Sequence, residues 1–301
     1  MRRLALPSLL IAALAVAASS PLLAQTIQRS LHVSVLDRSG APVPGLGPSD
    51  FAVREDRVAR EVLKVTRATD PMQIALLVDD SAAADAYLTD YRESLKAFVA
   101  AIAGDTEATG KHSVALITLA ARPTIRTDYT TDADRLLKAA GGLFIQQDSS
   151  ACLLDGVFEV SEGITKRGSR RPVIVAITTE GPEVSNRSYN QVLDMLRRSG
   201  AQFHVVVVGP SFGAGRGNST DRFRVFDEGT RAGGGRYDSL LSSRALTRTL
   251  GQLAFELTHQ YLVTYAHPDS LIPPDAVTVS STRQNLTTRG LIVRDAIEER
   301  R

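Results

Sequence analysis

The stretch that constrains this chain most is residues 74–84, IALLVDDSAAA. Its apolar residues Ile74 to Val78 run without interruption and stop on Asp79, Asp80 and Ser81. An apolar run of this length, bounded by turn residues, predicts a strand buried on both faces. A helix is predicted from about Tyr87, with Tyr91, Leu95, Phe98, Val99 and Ile102 on one face. The two acids and the hydroxyl fall at the C-terminal tip of the strand, where open α/β sheets place ligands. They are oxygen donors of the kind a hard cation takes. Taken alone, the tripeptide reads rather as a turn in which Asp80 or Ser81 caps the helix.

From Met72 to about Leu257 strands and helices alternate. Apolar strands are predicted at 113–119, 172–178 and 203–208, with 121–130 as an antiparallel partner of the first. Helices are predicted at 132–140, 152–164 and 189–198, and a last one carries Leu246, Leu250, Leu253, Ala254 and Leu257 on one face. Repeated alternation implies an α/β fold with a doubly wound, mostly parallel sheet covered on both faces. Both ends of the chain have period two instead. Leu31, Val33 and Val35, then Phe51 and Val53, then 62–65 predict strands before Pro71, with a turn at Glu55-Asp56. Residues 260–265, 276–280 and 290–293 predict three more after His259. Neither end buries a face alone, so 25–71 and 258–301 are expected to form one small β domain, with the α/β domain 72–257 inserted between them.

Met1-Arg2-Arg3, an apolar stretch to Ala18 and the small-residue end at Ala24 read as a secretory signal peptide, residues 1–24, that leaves Gln25 first. The leader is short for a membrane span, and no later segment is long and apolar enough for one. The expected product is exported, secreted or periplasmic. Of the 35 basic residues, Arg2 and Arg3 lie in the leader, which leaves the remainder in balance with 33 acids. That balance speaks against a nucleic-acid or anionic-membrane binder. One cysteine, Cys152, excludes an internal disulfide and reads as a buried thiol.

The residues resemble a von Willebrand factor type A domain and, more narrowly, the exported bacterial VWFA-related proteins. Residues 31–56 (LHVSVLDRSGAPVPGLGPSDFAVRED) are similar to the opening pattern of that family, and 260–265 (QYLVTY) to its exit from the last helix. The resemblance implies a metal-ion-dependent adhesion site, in which one loop supplies Asp-x-Ser-x-Ser, a second a threonine and a third an aspartate. Asp79 and Ser81 match the first two positions, and Ala83 replaces the second serine. Ala151 stands for the threonine, with Ser149 or Ser150 beside it able to offer a hydroxyl. Glu180 replaces the aspartate, and Asp80 and Asp148 add carboxylates of the kind Ca²⁺ takes.

The expected site is therefore degenerate: Asp79, Ser81 and Glu180, converging at one end of the sheet. No cofactor is expected, and a weakly held Mg²⁺ or Ca²⁺ is the one ion this set would take. Because Mg²⁺ demands near-octahedral geometry, the missing hydroxyls predict no Mg²⁺ stabilisation. Restoring Ala83→Ser, Ala151→Thr and Glu180→Asp is expected to create a response.

A second chemistry is written from Gly209 to Gly217, GPSFGAGRG. It holds a formal G-x-S-x-G around Ser211, with His259 and several acids downstream, and a glycine pattern open to a phosphate. It lacks the Gly-Lys-Ser/Thr of a phosphate loop, and its glycines disfavour the helix a nucleophile elbow runs into. His32, His112, His204, His259 and His267 have no metal-ligand spacing, and His204 reads as a satisfied core residue. Asn186, Asn218 and Asn285 open glycosylation sequons. The expected function is a non-catalytic module that mediates protein–protein interaction or assembly with an extracytoplasmic partner. The alternative is a phosphate-ligand binder or hydrolase using Gly209 to Gly217.

Overall fold

The computed structural model describes residues 26–209, 219–268, 274 and 276–292. The expected leader, Ser211 with the rest of the glycine-rich stretch after Gly209, and Asn218 lie outside the described residues.

The alternating valines of the N-terminal segment form β1 (Thr26–Leu36), β2 (Phe51–Glu55), β3 (Val58–Arg60) and β4 (Val62–Arg67). β2 and β3 make a hairpin whose two turn residues, Asp56 and Arg57, both have positive φ, the left-handed pair that matches strand twist. The turn thus lies one residue beyond the expected Glu55-Asp56. Glu55 itself is buried in the strand, where it accepts from Tyr265 Oη at 2.8 Å, His267 Nδ1 at 2.7 Å and Arg60 Nε at 2.8 Å. Tertiary partners 5 to 212 residues away overrode a local turn signal.

The apolar run at 74–78 becomes β5 (Gln73–Val78), which is followed by a 3-10 turn (Ala82–Tyr87) and α1 (Leu88–Ala103). Then come β6 (Ser113–Thr118), β7 (Thr124–Thr130), α2 (Ala133–Gly141), α3 (Leu153–Arg167), β8 (Pro172–Thr179), α4 (Tyr189–Ser199) and β9 (Gln202–Val208). After the undescribed stretch, α5 (Ser219–Arg224) passes through a π-turn (Val225–Gly229) into α6 (Thr230–Ala232). β10 (Tyr237–Leu240) and α7 (Leu246–Thr258) complete this part. β10 was not expected: YDSL is short and half polar, and it is an edge strand with β9 as its neighbour.

The central sheet has the order β10-β9-β8-β5-β6-β7, parallel throughout except for β7. It is doubly wound. Ile74, Leu76 and Val78 face α1, α2 and α7, while Ala75 and Leu77 face α3 and α4. All five residues predicted on the inner face of α1 are buried.

β11 (Tyr261–Pro268), β12 (Val277–Ser281) and β13 (Thr287–Ile292) return to the N-terminal strands. One sheet has the order β13-β1-β11-β4, the other β12-β2-β3. They enclose Leu31, Val33, Val35, Leu46, Phe51, Val53, Val263 and Tyr265. Between this β region and the central sheet sits the buried Arg171. Its guanidinium donates to the carbonyls of Ala68, Asp70 and Leu257 and to Gln260 Oε1, tying both connecting segments to the start of β8.

Candidate functional site

Three loops meet at the C-terminal end of the parallel sheet. The first follows β5, the second (146–152) leads into α3, and the third (178–184) ends β8. Parallel strands in one register place their C-terminal ends side by side, which is why residues a hundred positions apart meet here. Backbone bonds lace them together. Gln146 N donates to Asp80 O at 2.8 Å, Ala82 N to Ser149 O at 3.3 Å, and Ala151 N to Pro182 O at 3.1 Å. Ala151 also bridges Ala120 and Glu183.

Asp79 lies at the centre, fully buried. Its Oδ1 accepts from Ser81 N at 3.0 Å. Its Oδ2 accepts from Thr179 Oγ1 at 2.9 Å, Thr179 N at 3.2 Å and Thr178 Oγ1 at 3.3 Å. Asp80 is buried too and is committed elsewhere. Its Oδ1 accepts from Leu119 N and Ala120 N at 3.0 and 2.7 Å, and Oδ2 from Gln146 Nε2, so it staples β6 and the second loop to the first. Ser81 occupies the N-cap position of the 3-10 turn without making a cap bond. Its buried Oγ, like the Tyr91 phenol oxygen from α1, has no hydrogen-bond partner among the described residues. Burial, with the Asp79 carboxylate second, pushes the Tyr91 hydroxyl well above its ordinary pKa.

The residue that sequence reading missed is Arg222. α5 delivers it to the same end of the sheet, nearly fully buried. One terminal nitrogen donates to Thr178 Oγ1 at 2.9 Å and Thr179 O at 2.6 Å, and the other donates to Gly181 O at 2.7 Å. Its Nε forms an ion pair with Glu183 Oε2 at 3.4 Å. Burial raises the Glu183 carboxyl above its usual range, against the pull of a Ser185 hydrogen bond and of Arg222. No local signal marks Arg222, which sits in the mixed-charge run Asp221-Arg222-Phe223-Arg224.

The loops that carry Asp79, Ser81 and Glu180 adjoin at this end of the sheet. Glu180 is half-buried; burial first, and the Glu180 charge second, raise the pKa of Tyr237 on the edge strand β10. Ala83 and Ala151 offer no hydroxyl, and the Ser149 hydroxyl donates to Gln146 O within its own loop. A divalent ion needs carboxylate and hydroxyl oxygens turned toward one point. Here one Asp79 oxygen carries three donors, and a guanidinium lies one threonine hydroxyl away. The residues present do not fit that ion. Among the described residues, no group of three or more His, Cys, Asp or Glu gathers as a metal cluster.

The other candidates resolve separately. Cys152 is buried at the start of α3. Its thiol donates to Leu119 O, and burial pushes its pKa to about 12, so it is not a nucleophile at neutral pH. His112 and His267 pair with Asp105 and Glu55 in different places. His204 is fully buried as expected, but it is not satisfied: neither ring nitrogen has a partner among the described residues. Gly209 is held at φ +111°, and a Cβ there would lie 2.7 Å from the Tyr87 hydroxyl.

No protein-family model matches the sequence, and no curated protein is similar enough to it to serve as a relative. Solved structures are similar in fold. A von Willebrand factor type A protein from Catenulispora acidiphila superposes with a TM-score of 0.50 at 8% identity, over 89% of this chain and 74% of that one. Proximal thread matrix protein 1 from the mussel byssus, with a zinc-occupied MIDAS motif, gives a TM-score of 0.50 at 14% identity. That match covers 68% of this chain, which spans about half (49%) of the mussel protein. The central sheet, its helices and the three loops at its C-terminal end therefore have the fold of a von Willebrand factor type A domain.

Proposed function

We propose that this chain is an exported, non-catalytic module that binds another protein through the loops at the C-terminal end of its parallel sheet, around a degenerate metal-ion-dependent adhesion site. The observation that carries the reading is the exposed apolar rim of that end. Leu241, at 82% exposure, follows the tip of β10; Ile125, at 64%, lies beside the tip of β6; Phe144 stands just before the second loop and Val184 on the third. Large apolar side chains left in water around one end of a sheet mark an interaction surface better than the same residues scattered singly. Arg126, stacked over the Phe144 ring, adds a cation that a partner can engage. Export rests on the leader, and assembly outside the cytoplasm is the setting the fold suits.

The test is cross-linked capture from the cell envelope. Val184→Ser with Leu241→Ser should lose a discrete partner that wild type retains, with the melting temperature unchanged. Phe255→Ser, which changes an exposed apolar residue on α7, should retain it. Capture should be equal in chelator, because the ion shell is incomplete. A partner that survives the double substitution would refute the surface. Labelling of Ser211 by a serine-hydrolase probe, or a nucleotide-induced rise in melting temperature, would replace this reading with the hydrolase or phosphate-binding one.

A further inference from the structure

At this site a buried carboxylate, Asp79 on the first loop, and a nearly buried guanidinium, Arg222 from α5, are joined through a shared hydroxyl. Thr178 Oγ1 donates to Asp79 at 3.3 Å while accepting from Arg222 at 2.9 Å. Thr179 repeats the link, its hydroxyl on Asp79 and its carbonyl on Arg222. Gly181 O and Glu183 complete the set, so one side chain engages four residues of the third loop. A divalent ion in such loops would neutralise buried carboxylates and join segments distant in sequence. We infer that Arg222 does both, and that it is the resident cation of this site in place of a metal.

The chemistry of the surrounding residues agrees with that role. Planar, multiply donating guanidinium is the cation suited to buried ion pairing. Asp79 would otherwise be a buried carboxylate with neutral donors alone. Ala83 and Ala151 then carry no penalty, because no ion needs their hydroxyls. The inference is independent of which protein binds the apolar rim, since it concerns the interior of the site and is read without a partner.

It also changes what restoring the family's ligands should do. Ala83→Ser, Ala151→Thr and Glu180→Asp would supply oxygens but leave the guanidinium beside them, and like charge at this range opposes a second cation strongly. The experiment is Mn²⁺ binding, followed by electron paramagnetic resonance and by melting temperature, on wild type, the triple variant, Arg222→Met, and the triple variant combined with Arg222→Met. Wild type, the triple variant and Arg222→Met should not bind. The combined variant should bind saturably, at least about tenfold above any residual association of the triple variant. A second measurement does not depend on the combined variant folding. Arg222→Met should lower the melting temperature by roughly 10 °C, and Arg222→Lys by less. The losses of Arg222→Met and Asp79→Asn should overlap rather than add, since each residue compensates the other. Saturable Mn²⁺ binding to wild type that Asp79→Asn abolishes would overturn the inference. So would equal Mn²⁺ binding by the triple and combined variants, or strictly additive losses.

Discussion

Gly181 shows how closely single atoms are fitted at this site. A Cβ built on it would lie 2.5 Å from the Cβ of Ala83 and 3.1 Å from Thr179 Oγ1, the hydroxyl that donates to Asp79. Gly181→Ala must therefore push the first loop away from the third. Overpacking of this kind costs about 1–3 kcal/mol, and urea unfolding should show it as a lower midpoint with an unchanged slope. Adding Ala83→Gly should recover most of the loss, because it removes the clashing methyl; a double variant no better than the single would mean the loops are not in contact. At this scale the sequence was partly legible. Asp79 announced itself as a carboxylate at the end of an apolar run, and Cys152 as a buried thiol. Arg222 and the threonine pair did not, because the role of each is defined by atoms that the chain brings from elsewhere.

At the scale of elements, β9 carries an anomaly with a measurable consequence. His204 lies in a strand of valines, and burial, opposed by Glu256 and assisted by Arg289 and Arg236, pushes its pKa down to about 4. Burial, assisted by the Arg171 guanidinium, brings His32 of β1 down to about 3. An unfolded histidine titrates near 6.5. Below that pH the unfolded chain takes up protons that the fold refuses, so stability rises with pH. The contribution is complete above about pH 6.5 and is lost progressively toward pH 4 and below. Melting temperatures should therefore fall between pH 7 and 4.5, and His204→Leu should flatten part of that slope while leaving the pH 7 value near wild type. An unchanged slope in the variant would show that His204 is not held neutral. Hydrophobic period identified the strands and helices on either side of this strand, but it did not announce β3 or the helical stretch from Ser219 to Ala232 that carries Arg222. It failed at β10, where an edge position relaxes the need for apolar residues. It failed also at Glu55, whose burial depends on Tyr265, His267 and Arg60.

At the scale of the whole molecule, the two ends of the chain share sheets. β1 lies between β13 and β11, and β2 lies between β12 and β3. We propose that 25–71 and 258–301 form one discontinuous domain. Deleting Ser270 to Arg301 would remove β12 and β13 and uncover one flank of both β1 and β2. Strands stripped of a neighbour lose both ladder bonds and side-chain cover. Limited proteolysis of the truncated protein should cut within 26–67 at conditions where full-length protein resists, while the central sheet persists. Equal resistance in both proteins would count against the shared domain.

The sequence by itself determined the class of fold. Apolar runs buried on two faces, amphipathic helices between them and alternating strands at each end are local patterns, and local patterns survive without knowledge of contacts. It also placed Asp79, Ser81 and Glu180 on loops at one end of the sheet, because parallel strands put their tips together. Tertiary structure decided what those loops contain. Arg222 is one charged residue among 68 in the chain, and nothing within several residues of it shows that α5 carries it under the third loop. Burial turns an ordinary surface cation into the partner of a carboxylate 143 positions earlier, and burial is a property of the packed chain, not of any segment.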